Sequence, residues 1–260
     1  MDAVTTATYN CTDPQQRAEG LAHAQRAIAQ KQCVVMPTDT VYGIAADAFS
    51  AQAVATLLAA KGRGRSMPPP VLIPRLQTMD GLATEIPADG RALAEKFWPG
   101  PLTLILHAQP SLTWDLGETK GTVALRIPDD ELAQALLTIT GPLAVSSANR
   151  TGHAAAQTAA EAREQLAESV EVYLEEGFRP VDGGGPGGAA GLPSTIVDCT
   201  GERPRIVRQG ALSLEAIREV APGVLGLGEE PEAPERPADA GVPEAAGDPE
   251  PASSDASPEA

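Results

Sequence analysis

An α/β domain is predicted for residues 13–227 of this 260-residue chain. Two observations predict it: short apolar, β-branched runs alternate with stretches of helical periodicity, and most of the helical stretches open on a recognisable N-cap. In chain order, Asp13 caps a first helix and Pro14 fits its first position, with Ala18, Leu21, Gln25 and Ile28 at helical spacing. A buried strand over 33–36 follows, then the loop PTDTVYG over 37–43, then a helix opened by Ser50 that runs through Val54, Leu57 and Leu58 towards Lys61. Further strands are expected at 71–73, 102–106, 122–127, 143–146, 170–174, 195–199 and 205–207. Helices are expected at 90–97, 130–138, 158–168 and 214–220, the third opened by a capping box of Thr158 and Glu161. No repeat of 20–50 residues occurs, which excludes a solenoid.

The two ends read differently. Residues 1–12 are expected to be a flexible N-terminus. From 228 to 260, ten acidic residues face Arg236 alone, among seven Pro and eight Ala, with Val242 the single larger aliphatic. Such a segment cannot bury enough apolar surface to offset its ordering entropy, and a disordered acidic Pro/Ala-rich tail is expected. It is read either as solvating disorder or as a strand competing for a basic cleft. The tail holds −9 of the formal charge of −16, leaving −7 on residues 1–227. Such a balance disfavours gripping a nucleic-acid duplex or an anionic membrane.

Several familiar chemistries are excluded. The three cysteines, Cys11, Cys33 and Cys199, form no CxxC pair, and reduced thiols are expected. His23, His107 and His153 are too scattered for a compact ligand set, so no metal-binding residues are assigned. The GGGPGG run at 183–188 leads to a β run rather than a helix, against a dinucleotide fold, and no GK[ST] follows it. No GxSxG elbow surrounds Ser146 or Ser147. With no leader pattern and no run of 18 apolar residues, a cytoplasmic location is expected.

What remains is a set of polar groups at expected strand ends, where open α/β sheets place ligands. Lys61, Arg63 and Arg65 form KGRGR after a helix; they suit an anion, and equally suit a helix dipole. Arg126 closes TVALR and Arg208 closes RIVR. Thr38 and Thr40 flank Asp39, Ser146, Ser147 and Asn149 follow LAV, and Ser194 and Thr195 open a strand. Short hydroxyls and amides of this kind suit an amino acid's charged ends or phosphate oxygens.

The stretches PTDTVYGIAADAF (37–49), KGRGRSMPPPVLI (61–73), FWPGPLTLIL (97–106), TVALRIPDD (122–130), SSANRTG (146–152), GLPSTIVD (191–198) and RIVRQGAL (205–212) resemble, in order, the signatures of the YrdC-like family. Its enzymes are L-threonylcarbamoyladenylate synthases. The resemblance implies a twisted mixed sheet with flanking helices around a basic cleft, in the short single-domain form. It implies a reaction joining L-threonine, bicarbonate and ATP, with Mg²⁺, to threonylcarbamoyl-AMP and diphosphate, towards N6-threonylcarbamoylation of tRNA adenosine 37. Hand-over to a tRNA threonylcarbamoyl-transferase complex is a further expectation.

Carried over by motif, Thr40, Arg126, Ser147 and Ser194 would hold threonine. Lys61, Arg63, Thr122, Asn149 and Arg208 would hold ATP. Lys61, Arg63, Ser147 and Asn149 form the family's catalytic tetrad. The chain departs from the family at Gly64, at Pro68-Pro69-Pro70, and at Ala154-Ala155-Ala156-Gln157. Two other readings stand beside the synthase: a non-catalytic YrdC-like module that binds nucleotide or RNA, and carbamoyl transfer of the hydrogenase-maturation type, whose accompanying zinc-finger and acylphosphatase-like segments are absent from this sequence.

Overall fold

The computed structural model describes residues 6–181 and 191–230. The glycine run at 183–188 and the expected tail beyond Glu230 lie outside the described residues. Within them the chain forms β1 (Ala7–Asn10), α1 (Pro14–Ala29), β2 (Val34–Met36), β3 (Gly43–Asp47), α2 (Ala51–Ala60), β4 (Val71–Leu72), α3 (Gln77–Leu82), β5 (Ala83–Thr84), α4 (Ala88–Phe97) and β6 (Leu102–Ala108). Then come β7 (Thr122–Arg126), α5 (Glu131–Thr140), β8 (Leu143–Ser147), α6 (Ala159–Leu166), β9 (Val172–Glu175), β10 (Thr195–Asp198), β11 (Arg205–Arg208) and α7 (Leu214–Val220).

The helix starts follow their caps. Asp13, Ser50, Asp130, Thr158 and Ser213 each accept from the backbone N–H three residues on. The Glu161 carboxylate reaches back to the N–H of Gln157, one residue before the cap, so the box at α6 closes one residue early. Four elements carry no such signal. Residues 7–10, expected to lie in a flexible lead-in, pair in parallel with β9 as strand β1. This strand is half-exposed, and Tyr9 is its one large apolar body, packed so tightly on α1 that a Cβ at Gly20 would sit 2.9 Å from the Tyr9 Cβ. β3, built of Gly and Ala around Ile44, follows the expected loop at 37–43 where no element is expected, β5 is only two residues long, and α3 has no side-chain cap.

All eleven strands join one twisted mixed sheet in the order β1-β9-β2-β3-β8-β4-β7-β6-β10-β11, with β5 beside β6. Alternation within each apolar run feeds two cores, one on each face. Cys33, Val35, Ile44, Ala46, Val71 and Leu125 pack with α2, α3, α4, α6 and α7. Val34, Met36, Ala45, Leu72, Leu143 and Val145 pack with α1 and α5. The second core holds no residue from β6, β7, β10 or β11, and on that stretch of the sheet the side chains of this parity mix polar Thr103, Thr122 and Arg126 with apolar Ile105, Ala124 and Ile196.

Candidate active site

A cavity of about 180 Å³ opens over this uncovered stretch. The strand registers place Leu72 beside Arg126, Thr103 beside Ile196, and Ile196 beside Arg208, a transverse row across β4, β7, β6, β10 and β11. Arg208 reaches the row because the register shifts by one residue: Val197 pairs Ile206, whereas Ile196 pairs Arg208. In a regular strand Arg208 would share the face of Ile206, which is buried in the opposite core. The extra residue, Val207, is pushed outward, and Arg208 is turned into the cavity.

Loops close the remaining walls with Thr38, Thr40, Arg63 and Ser194, and the end of β8 adds Ser146 and Ser147. Thr38 Oγ1 donates to Val41 O at 2.6 Å and fixes the turn that presents Thr40. Gly43 is needed here, because a Cβ would meet Val145 Cγ1 at 2.7 Å and drive that wall into the cavity. Gly210 lets the turn after β11 lie against Ser194: a Cβ there would fall 2.2 Å from Pro193 O. Thr195 Oγ1 pins that turn, accepting from the Gly210 and Leu212 N–H groups at 3.0 Å each.

Three guanidinium groups converge. Arg126, buried, donates to Asp39 Oδ1 at 2.6 Å, Thr40 Oγ1 at 3.2 Å and Gly100 O at 3.0 Å. Burial lowers its pKa and the Asp39 carboxylate opposes that shift. Arg208 donates to Ser194 O at 2.8 and 3.1 Å and to Ser194 Oγ at 3.0 Å, while Ser194 Oγ also meets Thr103 Oγ1 at 2.8 Å. Burial first, then the charges of Arg126 and Arg63, lower the Arg208 pKa. Arg63 holds Ser146 Oγ at 3.1 Å, and its buried Nε has no partner. Among the described residues no carboxylate pairs with Arg63 or Arg208. Three cations and a row of hydroxyls, with one carboxylate neutralising one cation, make a site for an anion larger than a single carboxylate.

A second, more apolar cavity of about 240 Å³ adjoins the first through Pro68, Pro70 and Ile196, and Thr122 lies on its wall beside Leu116, Val123 and Ile105. Each cavity is smaller than a typical ligand site of roughly 300–1,000 Å³, whereas the two joined fall within that range. Lys61 and Asn149 line neither cavity. Both are buried beneath the loop after β8, where the Lys61 ammonium donates to Ser147 O, to Asn149 O at 2.6 Å and to Asn149 Oδ1 at 3.4 Å.

The Sua5/YciO/YrdC family signature, described as "Telomere recombination", matches residues 26–210. A protein of Mycobacterium tuberculosis (strain H37Rv) named "Putative threonylcarbamoyl-AMP synthase" is 50% identical over 215 residues, 83% of this chain and 95% of its own length. The chain belongs to the Sua5/YciO/YrdC family. A member from Bacillus subtilis (strain 168) named "Threonylcarbamoyl-AMP synthase" is 34% identical over 217 residues, covering 83% of this chain and 59% of that longer protein. Among solved structures, Pyrococcus abyssi Sua5 complexed with L-threonine superposes with a TM-score of 0.76 at 30% identity, over 85% of this chain and 62% of that one.

Of the residues singled out from sequence, the fold brings Thr40, Arg63, Arg126, Ser147, Ser194 and Arg208 to one cavity. Thr122 stands in the adjoining one, and Lys61 and Asn149 stand behind the wall. Sequence reasoning missed Thr103, Leu72 and Val145. Thr103 left a readable trace, a lone hydroxyl at alternate parity inside the apolar run LTLIL. Leu72 and Val145 are core residues packed with α1 and α5, and only their place at the edge of that cover, beside the cavity, makes them wall residues too.

Proposed function

We propose that this chain is an L-threonylcarbamoyladenylate synthase, condensing L-threonine, bicarbonate and ATP to threonylcarbamoyl-AMP, diphosphate and water. The observation that carries the reading is the pair of adjacent cavities: a polar chamber with one neutralised guanidinium group and two that no described carboxylate pairs, beside an apolar chamber. Arg126 with Thr40, Ser147 and Ser194 suits the amino acid, since a guanidinium and hydroxyls match its carboxylate and side-chain hydroxyl. Arg63 and Arg208 suit the triphosphate, with Mg²⁺ arriving on the nucleotide, and Thr122 marks the chamber left for the nucleoside.

The threonine amine attacks bicarbonate carbon and water leaves, giving a carbamate. A carbamate oxygen then attacks the α-phosphorus, and the bond to the departing diphosphate breaks. Negative charge builds on the phosphoryl oxygens and the leaving group, where preorganised Arg63 and Arg208 stabilise it without a covalent nucleophile. Holding three reactants together supplies further acceleration. Cytoplasmic location and delivery of the adenylate to a tRNA-modifying transferase complex belong to the same reading; among the described residues no helix is long and apolar enough to cross a membrane.

Diphosphate release by purified protein tests it. Release is expected only when ATP, threonine and bicarbonate are all present. Release no faster with both co-substrates than with neither defeats the synthase reading, and salt-sensitive RNA binding without release would favour the non-catalytic module.

A further inference from the structure

Lys61 and Asn149 belong to the motifs that the family resemblance assigns to the nucleotide, yet neither side chain has an atom free to reach it. Lys61 is the C-cap of α2 and only 3% exposed. Its ammonium has three protons and three acceptors within reach, Ser147 O, Asn149 O and Asn149 Oδ1. The Asn149 amide is engaged at both ends: Oδ1 accepts from Lys61, and Nδ2 donates to Arg150 O at 2.9 Å and His153 O at 2.8 Å. In return, the Thr151 N–H donates to Lys61 O at 2.9 Å. The two segments are thus tied in both directions.

We infer that Lys61 and Asn149 are positioning residues, a buried clasp that fixes the loop after β8 so that Ser146 and Ser147 face the cavity, and that neither contacts the phosphates. Three oxygens converge beneath that loop, and although Ser147 O also accepts from the Asn149 N–H at 2.9 Å, the Lys61 ammonium is the group that ties all three together. Without it they repel one another, the peptide planes turn, and Ser147 on the cavity wall turns with them. Arg63, two residues from Lys61, is the contrasting case: it lines the cavity, and among the described residues its side chain bonds only Ser146 Oγ, which leaves terminal N–H groups for a ligand.

This role rests on the synthase reading, and its test separates the two. Affinities for AMP, ADP and ATP are measured by calorimetry on the full chain carrying Lys61→Met, Asn149→Ala, or both. A clasp acts on the site as a whole, so each variant is expected to weaken all three nucleotides by a similar factor, about tenfold. The double variant is expected to be no worse than the poorer single, because the two residues form one device. Lys61→Gln, which keeps a neutral donor, is expected to recover part of the loss; should Lys61→Met not fold, Lys61→Gln carries the same comparison across the three nucleotides. An ATP loss at least tenfold larger than the AMP loss, or additive losses in the double variant, would overturn the clasp. Wild-type protein that binds no ATP would overturn the synthase reading, and this role with it; normal wild-type binding with an ATP-selective loss in the variants overturns the clasp alone.

Discussion

Arg179 and Arg63 are the same residue type in two electrostatic settings. Arg179, at the end of the connection after β9, meets Asp130 Oδ2 at 2.9 Å, Glu176 Oε2 at 2.8 Å, and the carbonyls of Glu176 and Phe178 at 2.7 and 3.2 Å. Burial opposes its charge, but Asp130 leads the attractions that outweigh it and raise the pKa. Glu176 is the weaker partner: burial and the neighbouring Asp130 push its own pKa up, against the pull of Arg17 and Arg179. Asp130 also caps α5, so the knot locks a helix start to the chain leaving the sheet. Among the described residues, Arg63 has one hydroxyl partner, an unpartnered Nε and no carboxylate. A guanidinium whose donors and charge are matched inside the chain is architecture; one left unmatched beside a cavity has its partner in a ligand.

The largest effect expected is on stability, at the matched arginine. Arg179→Met leaves the buried Asp130 carboxylate without its cation, while half-buried Glu176 keeps Arg17, and breaking a buried pair in this way costs about 3–5 kcal/mol. The midpoint of thermal unfolding should fall by on the order of 10 °C for a chain of this size. A drop of a degree or two would mean that solvent or neighbouring donors replace the guanidinium, and the knot would not be structural.

Next in size is the effect of Arg63→Ala, expected on catalysis alone. Removing one donor aimed at developing charge lowers kcat/KM for ATP by about 10²–10³. Thermal stability should stay level or rise slightly, because a cation crowded by Lys61 and Arg208 is relieved. Equal losses of stability in Arg63→Ala and Arg179→Met would erase the distinction between the two settings.

Sequence made one side of this contrast legible and hid the other. KGRGR and RIVR stand out as basic residues at motif ends, and the fold brings Arg63 and Arg208 together. Arg179 offered nothing to read: its partners are a helix cap 49 residues earlier and a glutamate three residues before it, and only tertiary structure closes the first of these distances. The face of Arg208 was equally hidden, because strict alternation from Ile206 assigns the wrong side and the one-residue register shift leaves no mark in composition. Strands with β-branched runs and helices with capping side chains were readable because their signals are local. The Gly/Ala strand β3 and the half-exposed β1 owe their existence to neighbours that are distant in sequence.

Lys61 gives the smallest effect and a third setting, a cation matched by neutral oxygens. Burial first, and the Arg63 charge second, push its pKa down from 10.5 to about 8; the groups facing it from the loop after β8 are the uncharged oxygens of Ser147 and Asn149. Because the folded value lies below the unfolded one, above about pH 8 the unfolded chain holds a proton that the folded chain has released, and stability rises with pH. The buried thiols carry the opposite sign: burial pushes Cys11 up to about 11 and Cys33 and Cys199 to about 12, from 9.0. Above about pH 9 the unfolded chain loses thiol protons that the folded chain keeps, and stability falls. Lys61 contributes a rise of about 1 kcal/mol between about pH 7.5 and 9, and the three thiols, half-ionised in the unfolded chain at pH 9, offset about as much, so the wild-type midpoint is expected to stay nearly level over this interval. The same scan on Lys61→Met leaves the thiols unopposed, and its midpoint is expected to fall by roughly 2–4 °C across the interval. A wild-type midpoint that falls in parallel with that of Lys61→Met would mean that the three oxygens hold the proton as firmly as water does, which would place Lys61 among fully compensated buried charges, beside Arg179.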